Sequence, residues 1–297
     1  MSWTLLLPAA TGLVLVLGLS AGRLQRRLQP SLATTTFTML AAIAALAVVA
    51  VVAVVSLLFI SSFPPIAERL PWCRALADDH DLPTWWGGSA VAAALAMTGS
   101  LTVALRRAHA HRSIADGQSF VVLPTDEPAA FAVPGDPGCV VVSAGMLRAL
   151  DGDERRVLLA HERAHLARQH HRYLWVTAMA TAMVPVLRPL EARVRFATER
   201  WADEDAARAV GDRRLVARAL CRAALAQDAY PGPAMSLAGL GVHARVDALL
   251  AEPPARTRLG RVGLLGATAM TVLAASLASS LQLHHLATLA AHLCPGA

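Results

Sequence analysis

The chain has 297 residues, of which 55% are hydrophobic and only 16% are charged. Soluble domains carry about 25% charged residues, so this composition excludes intrinsic disorder and an ordinary soluble enzyme. All 27 basic residues are arginine, and four scattered cysteines are too few for a disulfide scaffold. The apolar residues lie in long uncharged runs, which indicates a membrane protein.

Four apolar runs have a length close to the ~20 residues that cross a bilayer as a helix. They are Trp3–Ser20, Phe37–Ile60, Gly88–Leu105 and Val262–Leu281. The first run lacks the charged leader and cleavage site of a signal peptide, so we interpret it as a retained span. The sequence therefore predicts an α-helical membrane protein with four transmembrane helices, and the lipid bilayer as a partner.

Arginine residues are concentrated on one side of these spans. The nine on that side are Arg23, Arg26, Arg27, Arg106, Arg107, Arg112, Arg256, Arg258 and Arg261. The opposite loop, 61–87, has two arginines against four acidic residues. The positive-inside rule then predicts a multi-pass membrane protein with both termini and this loop outside. Cys73 and Cys294 would share the oxidising side, where they could pair.

This topology divides the chain into residues 1–105 with three spans, a cytoplasmic domain at 106–261, and 262–297 with the last span and a short tail. Within the cytoplasmic domain, three short runs predict strands at Phe120–Leu123, Ala130–Val133 and Cys139–Val142. A predicted helix, Glu154–Gln169, follows and is opened by the capping pair Asp151 and Glu154. The domain is thus expected to be a mainly helical α+β fold.

The predicted helix contains the motif His-Glu-Arg-Ala-His at residues 161–165. Residues four apart lie on one helix face, so His161 and His165 can bind one metal ion. Glu162 lies about 100° further around the helix, where it can act as general base on a water molecule without binding the ion. This pattern is typical of zinc peptidases. The alternative is two solvated histidines on a helix surface.

A catalytic zinc ion needs a third protein ligand and one open position. The candidates are His170, His171, Glu191, Glu199, Asp203 and Glu204. We expect His170 and His171 to be solvated, because on one continuous helix they could not face the His161/His165 side. A second predicted helix, Glu191–Val210, carries Glu199 and Asp203 on one face. Either acid could bind the ion while the other accepts a hydrogen bond from a ligand imidazole.

The apolar run Tyr173–Leu187 has only fifteen residues, and Pro185 and Pro189 mark its end. If it crossed the membrane, Glu199 would lie on the opposite side from His161 and His165, and no ion could be shared. We therefore expect a membrane-dipping helix or a helix packed in the bundle, next to the site.

The chain resembles the BlaR/MecR-type integral-membrane metallopeptidases, which are relatives of the HtpX-type gluzincins. The resemblance is carried by the motif at 161–165, the acid pair Glu199/Asp203 and the upstream segments AFAVPG and VVVSAGMLRAL. The resemblance covers about residues 118–250. It implies one zinc ion, Glu199 as third ligand and Asp203 behind a ligand. It also implies peptide hydrolysis by a zinc endopeptidase of a bacterial plasma membrane, which cleaves a cytoplasmic regulator, such as a winged-helix repressor, or itself.

Two departures from the family pattern limit this resemblance. About sixteen residues follow Leu281 and no Ser-x-x-Lys motif occurs, so we expect no β-lactam sensor domain. The His-Pro…Arg element of HtpX relatives is represented only by His243 and Arg245, which we consider for substrate or oxyanion binding. Substrate backbone is expected to add as a strand along Ala130, Phe131, Ala132 and Val133.

Other functions remain open at this point. One is membrane-protein quality control of the HtpX kind, and another is a non-catalytic receptor or scaffold that retains the fold. Direct nucleic-acid binding is not expected, because the arginines flank the spans instead of clustering with aromatic residues on a soluble face.

Overall fold

The computed structural model describes residues 28–67, 84–110, 118–229 and 238–252. The predicted spans Trp3–Ser20 and Val262–Leu281, and both Cys73 and Cys294, lie outside these ranges. In chain order the elements are α1 (Pro30–Ser61), α2 (Pro64–Ala67), α3 (Thr84–Ala110), β1 (Phe120–Leu123), β2 (Ala130–Val133), β3 (Cys139–Ser143), α4 (Ala144–Ala149), α5 (Gly152–Ala167), α6 (His170–Met183), a short 3₁₀ turn (Pro185–Leu187), α7 (Arg188–Val210), α8 (Arg213–Asp228) and α9 (Ala238–Leu250). The described part is therefore mostly helical with one small sheet, as the α+β prediction expected.

Two helices, α1 and α3, are long and apolar enough to cross a membrane, over Pro30–Ser61 and Thr84–Arg106. They contain the predicted spans Phe37–Ile60 and Gly88–Leu105. Only 19% and 6% of the residues in their most apolar windows are buried within the protein. A core helix of a soluble protein would be mostly buried, so these exposed apolar faces indicate membrane association.

The beginning of α1 forms a core with α6 and α7. Phe37 and Ala41 of α1 are buried in one apolar cluster with Ala180 of α6 and with Leu190 and Val194 of α7. α6 also packs against α1 and α3. The run predicted at Tyr173–Leu187 is thus a bundle-packed helix followed by the 3₁₀ turn. α7 also packs directly against α1, which is a candidate membrane helix.

The sheet has the strand order β1-β3-β2, with β1 parallel and β2 antiparallel to β3. All three predicted strands are confirmed, with β3 one residue longer than expected. Every residue of β3 is buried, and Val140 and Val142 pack with Leu158 and Leu166 of α5. β2 is an edge strand, and it lies beside α5.

The helix that carries His161 and His165 ends earlier than predicted. Its predicted range was Glu154–Gln169, but α5 ends at Ala167 and α6 begins at His170. Between them, Gln169 adopts a left-handed conformation with φ 53° and ψ 41°. Residues other than glycine rarely take this conformation, and none of the usual helix-ending glycines marks the turn in the sequence.

The second predicted helix, Glu191–Val210, is α7 and begins three residues earlier, at Arg188. Pro189 fits its first turn because the amide hydrogen that proline lacks would have no partner there. The helix ends as predicted before Gly211, whose φ of 76° is left-handed.

Candidate metal centre and active-site cleft

The start of α5 is fixed by the capping pair expected from the sequence. Asp151 accepts a hydrogen bond from the Glu154 amide at 2.9 Å, and Glu154 accepts one from the Asp151 amide at 3.0 Å. The Glu154 carboxylate is fully buried and accepts a hydrogen bond from Arg222 of α8 at 3.1 Å. The cap and this ion pair hold α5 in register against α8.

The two histidines of α5 face one another one turn apart. Their Nε2 atoms are 3.2 Å apart, and their side chains are only 13% and 14% exposed. From α7, the Glu199 carboxylate approaches both imidazoles. Its oxygens lie 3.5 Å from His161 Nε2 and 3.7 Å from His165 Nε2. Packing of α5 on α7 therefore brings Glu199 to the two histidines, although it lies 34 residues after His165 in the sequence.

These three side chains fit a zinc ion. Their ligand atoms all lie within 4.8 Å of one another. Tetrahedral zinc with bonds of about 2.0–2.2 Å needs ligand atoms about 3.3–3.6 Å apart, and each imidazole lies near that distance from one of the two Glu199 oxygens. Two imidazoles and one carboxylate are also a donor set that catalytic zinc sites use. A single ion can therefore be bound by His161, His165 and Glu199.

Asp203 lies one turn beyond Glu199 on the same face of α7. Its Oδ1 is 3.1 Å from His161 Nδ1, so it accepts a hydrogen bond from the outer nitrogen of that imidazole. The Arg245 guanidinium from α9 donates to both Asp203 oxygens at 2.8 and 2.7 Å. It also lies 3.0 Å from Glu199 Oε2. Arg245 thus holds both acids of α7 in place.

The electrostatics of this cluster favour a bound cation. Burial alone lowers the pKa of His161, but the hydrogen bonds to Asp203 and Glu199 outweigh burial and raise that pKa to about 10. Burial raises the pKa of Glu199, and the His161 hydrogen bond and Arg245 outweigh it, leaving the pKa well below its usual range. Burial also raises the pKa of Asp203, but the charge and hydrogen bonds of Arg245 outweigh burial and lower that pKa. Both carboxylates are therefore ionised and face the imidazoles.

Glu162 is 8% exposed and lines the same cavity as the three candidate ligands. Its pKa is raised, first by burial and then by the nearby Glu199 charge, while His161 and Arg245 act in the opposite direction. A carboxylate with a raised pKa is a stronger base than free glutamate, which suits proton transfer at neutral pH.

The cavity has a volume of about 340 Å³. Ala130, Phe131 and Ala132 of the edge strand β2 line it, as expected for a surface along which a peptide could extend. Val133, which was predicted to join them, is buried on the other face of the sheet with Cys139 and Val141. Apolar side chains from α4, α5 and α8, such as Met146, Leu158 and Leu220, line the rest.

The prediction that His170 is solvated is wrong. His170 is fully buried, and its Nδ1 lies 3.0 Å from His165 Nδ1. Burial, followed by the nearby His165, lowers its pKa to about 3, so the ring is neutral. The sequence argument assumed one continuous helix, whereas the left-handed Gln169 breaks it and returns His170 to the site. His171 is exposed as predicted.

The other candidates do not contact the metal group. Glu191 pairs with Thr181 and Arg195, and Glu204 makes a two-pronged ion pair with Arg213. His243 is 86% exposed and faces Asp247. Of the last two predicted residues, only Arg245 reaches the site, where it contacts the acids of α7.

Comparison with known proteins agrees with this geometry. No curated protein and no solved structure gave a significant match to the chain. Residues 98–199, about a third of the chain, match the model of peptidase family M48, and this range includes His161, His165 and Glu199. The chain therefore contains a metallopeptidase domain of family M48, a family of zinc metalloendopeptidases.

Proposed function

We propose that the protein is a membrane-embedded zinc endopeptidase of the BlaR/MecR type that cleaves a cytoplasmic regulatory protein or itself. The observation that carries the proposal is the convergence of His161, His165 and Glu199 beside Glu162 in one cavity. A scaffold without catalysis would have no need for two half-buried imidazoles and an ionised carboxylate grouped next to a base.

In this proposal His161, His165 and Glu199 hold the ion. When bound, zinc polarises the scissile carbonyl and makes the attacking water more acidic. Glu162 accepts the proton of that water as the new C–O bond forms. It then delivers the proton to the leaving amine nitrogen as the C–N bond breaks. Asp203 and Arg245 keep the ligands oriented throughout.

The edge strand β2 supports a binding mode for the substrate. An extended peptide can pair with the outer edge of β2, which no other described strand occupies and whose residues Ala130, Phe131 and Ala132 line the cavity. Main-chain hydrogen bonds of this kind bind many sequences, and pockets for alternate side chains supply selectivity. The apolar wall formed by residues such as Met146 and Leu158 favours a large apolar side chain beside the scissile bond.

The catalytic role is tested with Glu162→Gln in full-length protein purified in detergent. The amide cannot accept the water proton, so turnover of denatured casein should fall by about 10²–10⁴-fold, the usual contribution of a general base. Bound metal, measured by elemental analysis, should stay at one ion per chain. Exposed Glu127 supplies the matched control, and Glu127→Gln should cleave normally. Wild-type turnover by Glu162→Gln would contradict the proposal.

The proposed orientation places the peptidase domain in the cytoplasm and the C-terminus outside. It rests on the excess of arginine on the peptidase side of the apolar runs. Full-length chains carrying a C-terminal alkaline phosphatase should be enzymatically active, and those carrying a fluorescent protein that folds only in the cytoplasm should be dark. The reverse pattern would place the site outside the cell and exclude cytoplasmic substrates.

Substrate choice separates regulation from quality control. If the protein cleaves one regulator, a winged-helix repressor encoded by a neighbouring gene should be cut at a single site by the wild type and not by Glu162→Gln. Cleavage of many unrelated misfolded membrane proteins would instead favour quality control.

A further inference from the structure

His170 is a buried polar residue that contacts the candidate metal ligand His165, and the mechanism above does not use it. It begins α6, directly after the left-handed turn at Gln169. The turn directs its ring back towards α5, where it meets His165 edge-on with ring centres 4.8 Å apart. The two Nδ1 atoms are 3.0 Å apart, a hydrogen-bonding distance.

The His170 ring is held on its other side by α7. Trp201, two residues after Glu199, lies 5.0 Å from His170 between ring centres. Tyr173 and Arg168 in turn pack against Trp201. His170 is therefore enclosed between a metal ligand and an aromatic side chain, and its side chain is fully buried.

The chemistry of two facing imidazole nitrogens fixes their roles. A hydrogen bond between them needs one N–H and one lone pair. His165 Nε2 faces Glu199 and His161, so the metal would take the lone pair of that nitrogen. The proton of neutral His165 must then be on Nδ1, which makes His165 the donor and His170 Nδ1 the acceptor. His170 Nε2 has no hydrogen-bond partner among the residues described, so the polar contact of this ring is directed at His165.

We propose that His170 is a positioning residue that accepts the Nδ1–H of His165 and so fixes the tautomer and ring orientation of the second metal ligand. The inference rests on the proposed function, because it requires His165 Nε2 to bind the ion. His170 then acts on His165 as Asp203 acts on His161. The two ligand imidazoles differ in their partners: one has a carboxylate clamped by arginine, and the other has a neutral ring.

The test measures metal affinity, which does not depend on turnover. Full-length protein in detergent, carrying Glu162→Gln to prevent autolysis, is stripped with a chelator and titrated with Co²⁺. Binding is followed by visible absorption and by chelator competition. His170→Leu keeps the volume but removes the acceptor, so Co²⁺ affinity should fall 10–100-fold, the usual loss for such a partner. The visible spectrum of bound Co²⁺ should also change.

Two amide variants separate hydrogen bonding from packing. Asparagine places its amide near the position of Nδ1, and glutamine places it near the position of Nε2. His170→Asn should therefore keep affinity within about threefold of wild type, whereas His170→Gln should lose as much as His170→Leu. His243→Leu, at an exposed histidine away from the cavity, is the control and should bind normally. Thermal unfolding of the metal-free proteins reports whether each variant folds. If His170→Leu does not fold, the comparison of His170→Asn with His170→Gln decides the role of His170.

The outcomes distinguish this inference from the function beneath it. Failure of the otherwise wild-type protein to bind Co²⁺ would overturn the proposed metal site itself. Normal binding by that protein together with undiminished affinity in His170→Leu would overturn only the role of His170. Equal losses in His170→Asn and His170→Gln would also overturn it, because the ring would then matter for packing alone.

Discussion

The two halves of α7 use different kinds of side chain to contact their neighbours. In the half that begins at Arg188, the buried residues Leu190, Val194 and Ala197 pack against the apolar face of α1. In the half that follows, Glu199 and Asp203 face the histidines of α5 and the guanidinium of Arg245. One continuous helix thus joins a candidate membrane helix to the candidate metal ligands.

The two halves differ in how precisely their contacting atoms must be placed. Apolar packing is non-directional, so several side chains of suitable volume can fill the interface with α1. The acidic half depends on hydrogen bonds with defined atoms, and removal of one partner leaves a buried charge without compensation. We therefore expect substitutions in the acidic half to change both metal binding and stability, and those in the apolar half to change stability alone.

The largest effect is expected where the acids meet Arg245. Arg245→Gln leaves Glu199 and the buried Asp203 without their cation, and breaking a buried pair such as Arg245–Asp203 costs about 3–5 kcal/mol. The free energy of unfolding in detergent, from denaturant titration, should fall by that amount. Arg208→Gln, which removes an exposed ion pair with Asp205 on the same helix, should change it by less than about 0.5 kcal/mol. Equal losses in the two variants would contradict the special role of the acidic half.

A second effect separates two of the three glutamates of α7, Glu199 and Glu191. Glu199→Gln removes the carboxylate ligand, so metal affinity should fall by about 100-fold, at least as much as for loss of an outer partner. That loss corresponds to about 2.7 kcal/mol of binding free energy. Glu191→Gln makes the same change in the apolar half, where the carboxylate contacts Thr181 and Arg195, and affinity should not change. Chelator competition measures both, and a similar loss in both would exclude Glu199 as a specific ligand.

Much of the site was readable from the sequence because its signals are local. The histidines, Glu162 and the capping pair all lie within fifteen residues on one helix, where spacing determines which side chains share a face. The acids Glu199 and Asp203 also lie one turn apart. Spacing alone left the choice of ligand open, and the distances to His161 and His165 now place Glu199 at the metal group and Asp203 behind His161.

The contacts that the sequence did not reveal depend on turns and on distant packing. His170 returns to the site because Gln169 adopts a left-handed conformation without the glycine that usually signals one. Arg245 is 42 residues from Asp203, and its motif predicted substrate contact instead of the ion pair observed. The contact of the buried His170 with Trp201 depends on the packing of α6 on α7, which no local pattern encodes.

The smallest effect, and the sharpest test of independence, is expected in the apolar half. Val194 is fully buried against α1, so Val194→Ala should lower the free energy of unfolding by about 2 kcal/mol through lost burial and the cavity left behind. The exposed Val186 is the control, and Val186→Ala should change stability by less than about 0.5 kcal/mol. Metal affinity should stay at the wild-type value in both variants. The space left by the shortened Val194 side chain lies more than one helical turn before Glu199, and Glu199 and Asp203 keep their contacts with Arg245. If Val194→Ala weakened metal binding as strongly as Glu199→Gln, the two halves of α7 would be mechanically coupled. Packing against the membrane helix would then set the ligand geometry.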